Sequence, residues 1–151
     1  MRNNVTIISK KVLNITSMKK LTYYLGKKVF SKSGEYSGKI IDVFLNKGNL
    51  SGILIRGKEK YFLDKEFFTS DTGDAVLISI DPVVNAIGKE VFDSEGRKLG
   101  KVIGMDRKNT DNDYTFMIVK KHALSAPFSV PKAHVEVCKK NVILNKEYGK
   151  K

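Results

Sequence analysis

The 151-residue sequence predicts an all-β fold, two small barrels or curled sheets in tandem behind a short N-terminal extension. Three observations lead there. Leu25-Gly26-Lys27-Lys28-Val29-Phe30 returns as Ile87-Gly88-Lys89-Glu90-Val91-Phe92, and the offset of 62 holds without a gap through Gly34/Gly96, Gly38/Gly100, Lys39/Lys101 and Ile41/Ile103. Identity that selects glycines and apolar positions together is what a duplicated structural unit leaves behind. Turn chemistry recurs at short intervals, as in Lys32-Ser33-Gly34-Glu35 and Ser94-Glu95-Gly96-Arg97, where the glycine supplies positive φ. Between the turns lie short β-branched and aromatic runs.

In chain order, Met1 to Thr16 has no counterpart before the second copy and reads as an arm or an extra element. Ser17 is placed to cap a short helix from Met18 to Tyr24, which would put Leu21 and Leu25 on one face. Gly38 to Leu45 suits a strand, and Lys47-Gly48-Asn49 turns it into Leu50 to Arg56. Arg56 to Lys60 turns the chain again into Tyr61-Phe62-Leu63, and Asp71-Thr72-Gly73-Asp74 leads into Ala75 to Ile80. Each copy thus holds five or six strands. Downstream the offset drifts, to 64 for Leu50–Arg56 against Tyr114–Lys120 and to 67 for Tyr61, Leu63, Lys65 and Phe68 against Phe128, Val130, Lys132 and Val135. Loops explain the drift: Arg107 to Asp113 replaces the short Lys47-Gly48-Asn49 turn, and Lys121 to Pro127 is a looser connection. The chain divides into a basic extension (1–19), repeat 1 (20–82), repeat 2 (83–146) and a basic tail (147–151).

Units of about 60 to 70 residues fold alone but bury a small fraction of their surface. They are expected to pack on each other or on partners, and a homo- or heterodimer is compatible with that. The formal charge of +12 is shared evenly, with 14 Lys/Arg against 8 Asp/Glu on either side of Pro82. Met1 to Gly34 carries eight basic residues and no acid, a segment drawn to anionic surfaces such as nucleic acid, a phospholipid face or an acidic protein. One cysteine, Cys138, excludes an intrachain disulfide and a multi-cysteine metal site. No run approaches a membrane span and no secretory leader is visible, so a cytoplasmic location is expected.

The pattern Leu-Gly-x-x-Val-Phe, a Gly-containing turn, Gly-Lys-Ile/Val, a strand and a second apolar strand resembles the PRC-barrel domain, twice over. The resemblance rests on turn glycines and core spacing, so it speaks to fold more than to activity. It implies two small β-barrels like those of the photosynthetic reaction-centre H subunit and the ribosome-maturation factor RimM. The stand-alone tandem arrangement is most similar to short archaeal members, some of which act in cell division alongside SepF. It therefore implies a non-enzymatic adaptor that binds a protein partner, a SepF-like division protein at the FtsZ ring, with the basic segment near an anionic partner or membrane face. The alternative is an RNA- or ribosome-associated assembly factor resembling RimM, although the separate N-terminal domain of RimM-like proteins has no counterpart here.

Candidate chemistry is sparse, and no catalytic residue, cofactor or metal ligand set is expected. His122, His134 and Cys138 are the only soft ligands, and no acid is placed to complete a zinc site with them. Gly34 to Lys39 and Gly96 to Lys101 lack the spacing and the Ser/Thr of a phosphate loop. Asp106, Asp111 and Asp113 lack the glycine and closing glutamate of a calcium loop. Ser125 and Ser129 have no triad context. The residues expected to contact an anionic surface are Lys10, Lys11, Lys19, Lys20, Lys27 and Lys28. Lys60-Tyr61-Phe62 comes nearest to the basic–aromatic interleaving of a nucleic-acid surface, but Tyr61 aligns with Phe128 and is expected in the core. With 24 Lys among 28 basic residues, diffuse attraction is favoured over bidentate base reading. Phe67 and His134, which align with each other, are the candidate protein-interface residues, and Phe67 either points outward or packs between the copies.

Overall fold

In a computed structural model, which describes residues 6, 8–12, 19–108 and 110–148, the described chain is all-β, with two six-stranded sheets and 3-10 turns as its only helical elements. The first sheet contains β1 (Lys28–Phe30), β2 (Tyr36–Asn46), β3 (Asn49–Arg56), β4 (Lys60–Asp64), β5 (Phe68–Asp71) and β6 (Ala75–Ile78). Its order is β4-β3-β2-β1-β6-β5. The second contains β7 (Glu90–Phe92), β8 (Lys98–Asp106), β9 (Phe116–Lys120), β10 (Phe128–Pro131), β11 (Val135–Cys138) and β12 (Val142–Leu144), in the corresponding order β10-β9-β8-β7-β12-β11. Neighbours pair antiparallel except β1 with β6 and β7 with β12, which run parallel and join the two ends of each unit.

Both sheets are open, since no ladder joins β4 to β5 or β10 to β11. They are nonetheless curled. Val29, Ile40, Ile53, Ile55, Leu63, Val76 and Ile78 form one buried cluster, with Phe68 packed against it, so all six strands of the first sheet contribute to a single core. A lone sheet can bury one face this completely only by wrapping that face around itself. The second core, built on Val91, Val102, Met117, Val119, Val130, Val142 and Leu144, repeats the arrangement.

The duplication reaches the irregularities. Register shifts at Val29/Phe30 and Ile40/Asp42 recur at Val91/Phe92 and Val102/Gly104, and the one at Phe68/Ser70 recurs at Val135/Val137. Such bulges tighten local twist and bend strands, which a short-stranded curled sheet requires. Gly38 and Gly100 belong to strands and serve a role beyond the turn: φ is +128° and +144°, and an added Cβ would lie 2.5 Å from the Arg56 carbonyl oxygen and 2.2 Å from that of Lys120. Only glycine admits both the conformation and the approach.

Three expectations change. The Met18–Tyr24 helix is replaced, within the described residues, by a 3-10 turn at Leu21–Tyr23 that starts after Lys20, and Ser17 and Met18 lie outside those residues. Leu21 and Leu25 are exposed and form no buried face. So short a segment gains too few hydrogen bonds to sustain an α-helix without an apolar face to bury. Ile41 and Ile103, matched apolar positions, both fall in the bulge; Ile103 is exposed and Ile41 half-buried, because the extra residue breaks the two-residue alternation there.

The units are linked through a 3-10 turn at Val83–Ala86. Its Asn85 is buried and donates from Nδ2 to Ser37 Oγ at 2.8 Å, and Lys89 Nζ lies 3.1 Å from the Glu35 carboxylate. The long loop peculiar to the second copy grips the same linker: Asn112 Oδ1 accepts from the Val83 N–H at 2.8 Å, and Asn112 Nδ2 donates to the Asp81 carbonyl at 2.9 Å.

Candidate functional site

The inner faces of the two sheets are alike; the outer faces are not. Across the first sheet the register places Lys28 opposite Lys39, Lys39 opposite Arg56, and Arg56 opposite Lys60. Residues directly opposite share a face with Cα atoms about 4.5–5.5 Å apart, so four cations stand in one row on four neighbouring strands. All four are exposed. Among the described residues none of them makes an ion pair. Directly opposed like charges destabilise a ladder by a few tenths of a kcal/mol each. The two acids on the same outer face, Asp42 and Asp64, accept from the backbone N–H groups of Val43 and Glu66.

Aromatic rings flank the row on both sides. Toward the β2–β3 hairpin, Phe44 and Phe62 meet edge to face with centroids 5.7 Å apart, 43% and 50% exposed. Phe62 lies across Gly52, where its Cζ is 2.5 Å from the place a Cβ would occupy, so the ring rests on the sheet instead of projecting from it. On the other side Tyr36, 51% exposed, meets Phe30 edge to face at 5.9 Å. Tyr61, between Lys60 and Phe62, turns inward as expected: it packs on the core, its hydroxyl donates to the Ser37 carbonyl at 3.1 Å, and burial pushes its pKa up to about 12.

The second sheet keeps one step of the row, Lys101 opposite Lys120, but Glu90 stands where Lys28 does and pairs with Lys98 at 2.8 Å. Its counterparts of Tyr36, Phe44 and Phe62 are Lys98, Asp106 and Ser129. Between the units lies a cleft of about 1080 Å³ whose lining includes Met105, Tyr114 and Met117 together with Lys58, Lys139 and Lys140.

The candidate residues read from sequence fall into different places. Lys28 joins the row. Lys27 is buried, donating to the Thr72 carbonyl at 2.8 Å with its ammonium 3.2 Å from the centre of the Tyr23 ring, so it supports the fold and faces no partner. Lys19 is exposed but held by Asp71 at 2.7 Å, and that hydrogen bond keeps the Asp71 carboxyl below its usual range. Lys10, Lys11 and Lys20 are exposed. Phe67 is half-buried and packs on the first core, and His134 is half-buried with Nδ1 on the Tyr148 hydroxyl. Cys138 is exposed at the end of β11. Among the described residues no three His, Cys, Asp or Glu are grouped to hold a metal ion. No helix among them is long and apolar enough to cross a membrane.

Of the row's other members, sequence pointed to Lys60 alone, beside Tyr61 and Phe62, and set it aside with Tyr61; Lys39 and Arg56 were not singled out, and only the ladder brings the three together. The signal was present: Lys39 and Arg56 lie symmetrically about the Lys47-Gly48 turn, and Arg56 and Lys60 about Lys58. Family models and curated proteins were compared with the chain, and none matches it.

Proposed function

We propose that this chain is a non-enzymatic RNA-associated factor of the tandem PRC-barrel kind, its curled sheets serving as binding surfaces. The observation that carries the reading is the row Lys28–Lys39–Arg56–Lys60, an array of like charges kept in register at a cost to the ladder and left without acidic partners among the described residues. A surface of that kind gains free energy by releasing the counterions condensed on a phosphate backbone. Four neutralised phosphates predict a slope near −3 in log affinity against log salt, or about 50-fold weaker binding on going from about 50 to 200 mM salt. Fluorescence anisotropy with labelled RNA over that range tests it, and absence of binding at the low end rules the reading out. The protein-adaptor reading, with a division protein such as a SepF-type partner, is supported by the four open edge strands β4, β5, β10 and β11, which can each accept an added strand. It predicts binding that is insensitive to charge reversal in the row.

A further inference from the structure

From the outer face of the first sheet we infer that the RNA is single-stranded and is bound there alone, its phosphates along the cation row and its bases over the Phe44–Phe62 and Tyr36 rings. The inference rests on the RNA reading and adds to it the site and the form of the ligand.

The geometry argues for a single strand in three ways. Phe62 is the next outward residue after Lys60 on β4, and Tyr36 is the outward neighbour of Lys39 on β2, so each ring stands about 7 to 10 Å from the row. That is the reach from a phosphate to its own base, and a base can meet these rings only when it is unpaired and splayed from its neighbours. The Phe44–Phe62 pair is half-exposed, with Phe62 laid on Gly52 and Phe44 meeting it edge to face, which leaves an apolar ledge beside the charges. An anionic membrane would take the same charges but favours side chains that project beyond them into the acyl region. Finally, the second copy supplies an internal comparison. It has a matching inner face and repeats the bulges except the one at Phe44/Leu45, yet it has lost the three exposed rings and two of the four cations, with Glu90 and Pro127 in place of Lys28 and Lys60. A purely electrostatic role would have used both sheets; the combination of charge and rings occurs on one.

Fluorescence anisotropy on the full-length chain tests this with three labelled probes: an oligouridine of about 12 nucleotides, an RNA duplex of similar length, and vesicles containing phosphatidylserine. Two double variants separate the contributions, Phe44→Leu with Phe62→Leu, which keeps apolar volume and removes the stacking surface, and Lys39→Gln with Arg56→Gln. Circular dichroism checks that each is folded. The single strand is expected to bind more tightly than the duplex or the vesicles. The leucine pair is expected to weaken single-strand binding about tenfold per ring while leaving the salt slope unchanged. The glutamine pair is expected to lower that slope by about 1.4, and Lys101→Gln with Lys120→Gln to change affinity several-fold less. Wild-type affinity in a folded leucine pair, or a duplex bound as tightly as the single strand, overturns this inference and leaves the RNA reading standing. Tighter binding to vesicles than to either RNA, or no RNA binding by the wild type at low salt, overturns both.

Discussion

Replacing Gly38 by alanine tests whether strand glycines, and not turn glycines alone, hold each unit together. Gly34 is the control. Its φ of +85° disfavours an L-residue, but an added Cβ would meet nothing within 4 Å. Left-handed backbone costs about 1–2 kcal/mol, of which roughly 0.4–1 kcal/mol is offset because alanine restricts the unfolded chain. Gly34→Ala should therefore cost about 1 kcal/mol. At Gly38 the φ of +128° carries a similar penalty, and the Cβ would also press on the Arg56 carbonyl oxygen at 2.5 Å, well inside ordinary contact at 3.4 Å. The neighbouring atoms are backbone on β3, so the strands must part and the Lys39–Arg56 and Ile40–Ile55 pairings open with them. Strain of about 1–3 kcal/mol and at least one lost backbone hydrogen bond of about 1 kcal/mol bring the total to about 3 kcal/mol or more. A unit of this size is held by only about 3–5 kcal/mol. Urea unfolding followed by far-ultraviolet circular dichroism and tyrosine fluorescence should show the Gly38→Ala first unit unfolded or nearly so, with the second unit's transition remaining. A loss no greater than that of Gly34→Ala would refute the reasoning.

Tyr61→Phe removes the hydroxyl that donates to the Ser37 carbonyl and should cost about 1 kcal/mol in the same assay. In the wild type, absorbance titration should show two tyrosines ionising near the top of the alkaline range, Tyr61 and Tyr114, both pushed by burial up to about 12, and the variant should show one fewer. Asn112→Ala frees both ends of the clamp on the linker. It should destabilise the chain by about 1–2 kcal/mol and raise amide exchange at Val83, and unchanged exchange there would show the clamp to be idle. Asp93 is buried, which opposes its charge, but N–H groups of Arg97, Tyr148 and Glu95 and the Arg97 side chain outweigh this and hold its carboxyl below the usual carboxylate range. A carboxyl lowered by folding contributes stability above its unfolded pKa and loses it as pH falls through the folded one. Thermal unfolding should therefore be flat from neutral pH down to about 5 and fall below about 4, with Asp93→Asn lowering Tm at neutral pH and flattening the acid slope. Some slope must survive, because Asp71, Asp81, Glu90 and Asp113 are shifted the same way.

The all-β character and the duplication were legible because the residues that determine them act locally. A glycine with positive φ and an inward-facing valine carry the same meaning at Gly26 and Val29 as at Gly88 and Val91. Features that depend on register were harder to read. Ile41 and Ile103 look like core positions until the bulge beside them is known, and β5 (Phe-Thr-Ser-Asp) has little strand character of its own and is held by pairing with β6. The same limit hid the binding face. Charge counted along the sequence pointed to the N-terminal segment, where Lys19 and Lys27 are engaged by Asp71 and the Thr72 carbonyl, whereas the cations of the row, without an ion pair among the described residues, are gathered by strand pairing from positions up to 32 residues apart, Lys28 to Lys60. At one place a matched position differs in type but not in role: Ser31 Oγ accepts from the Glu35 N–H as Asp93 Oδ1 accepts from the Arg97 N–H, so hydroxyl and carboxylate close the same turn.

The parallel ladder between β1 and β6 makes folding of each unit depend on its last strand. Val29 must wait for Val76, so the contact that completes the first core has a sequence separation close to the whole unit. Contacts of that range are slow to form because loop-closure entropy opposes them until the core rewards them. During synthesis the first unit cannot finish before β6 leaves the ribosome, and β7 begins only 12 residues after β6 ends, beyond the linker turn. β1 and β7 share the Val-Phe that follows their first residue, so during that interval β6 has two similar strands to choose between. The features that distinguish the copies near that junction, the Asn112 grip on the linker and the Lys89–Glu35 pair, are placed to favour pairing within a unit over exchange between units.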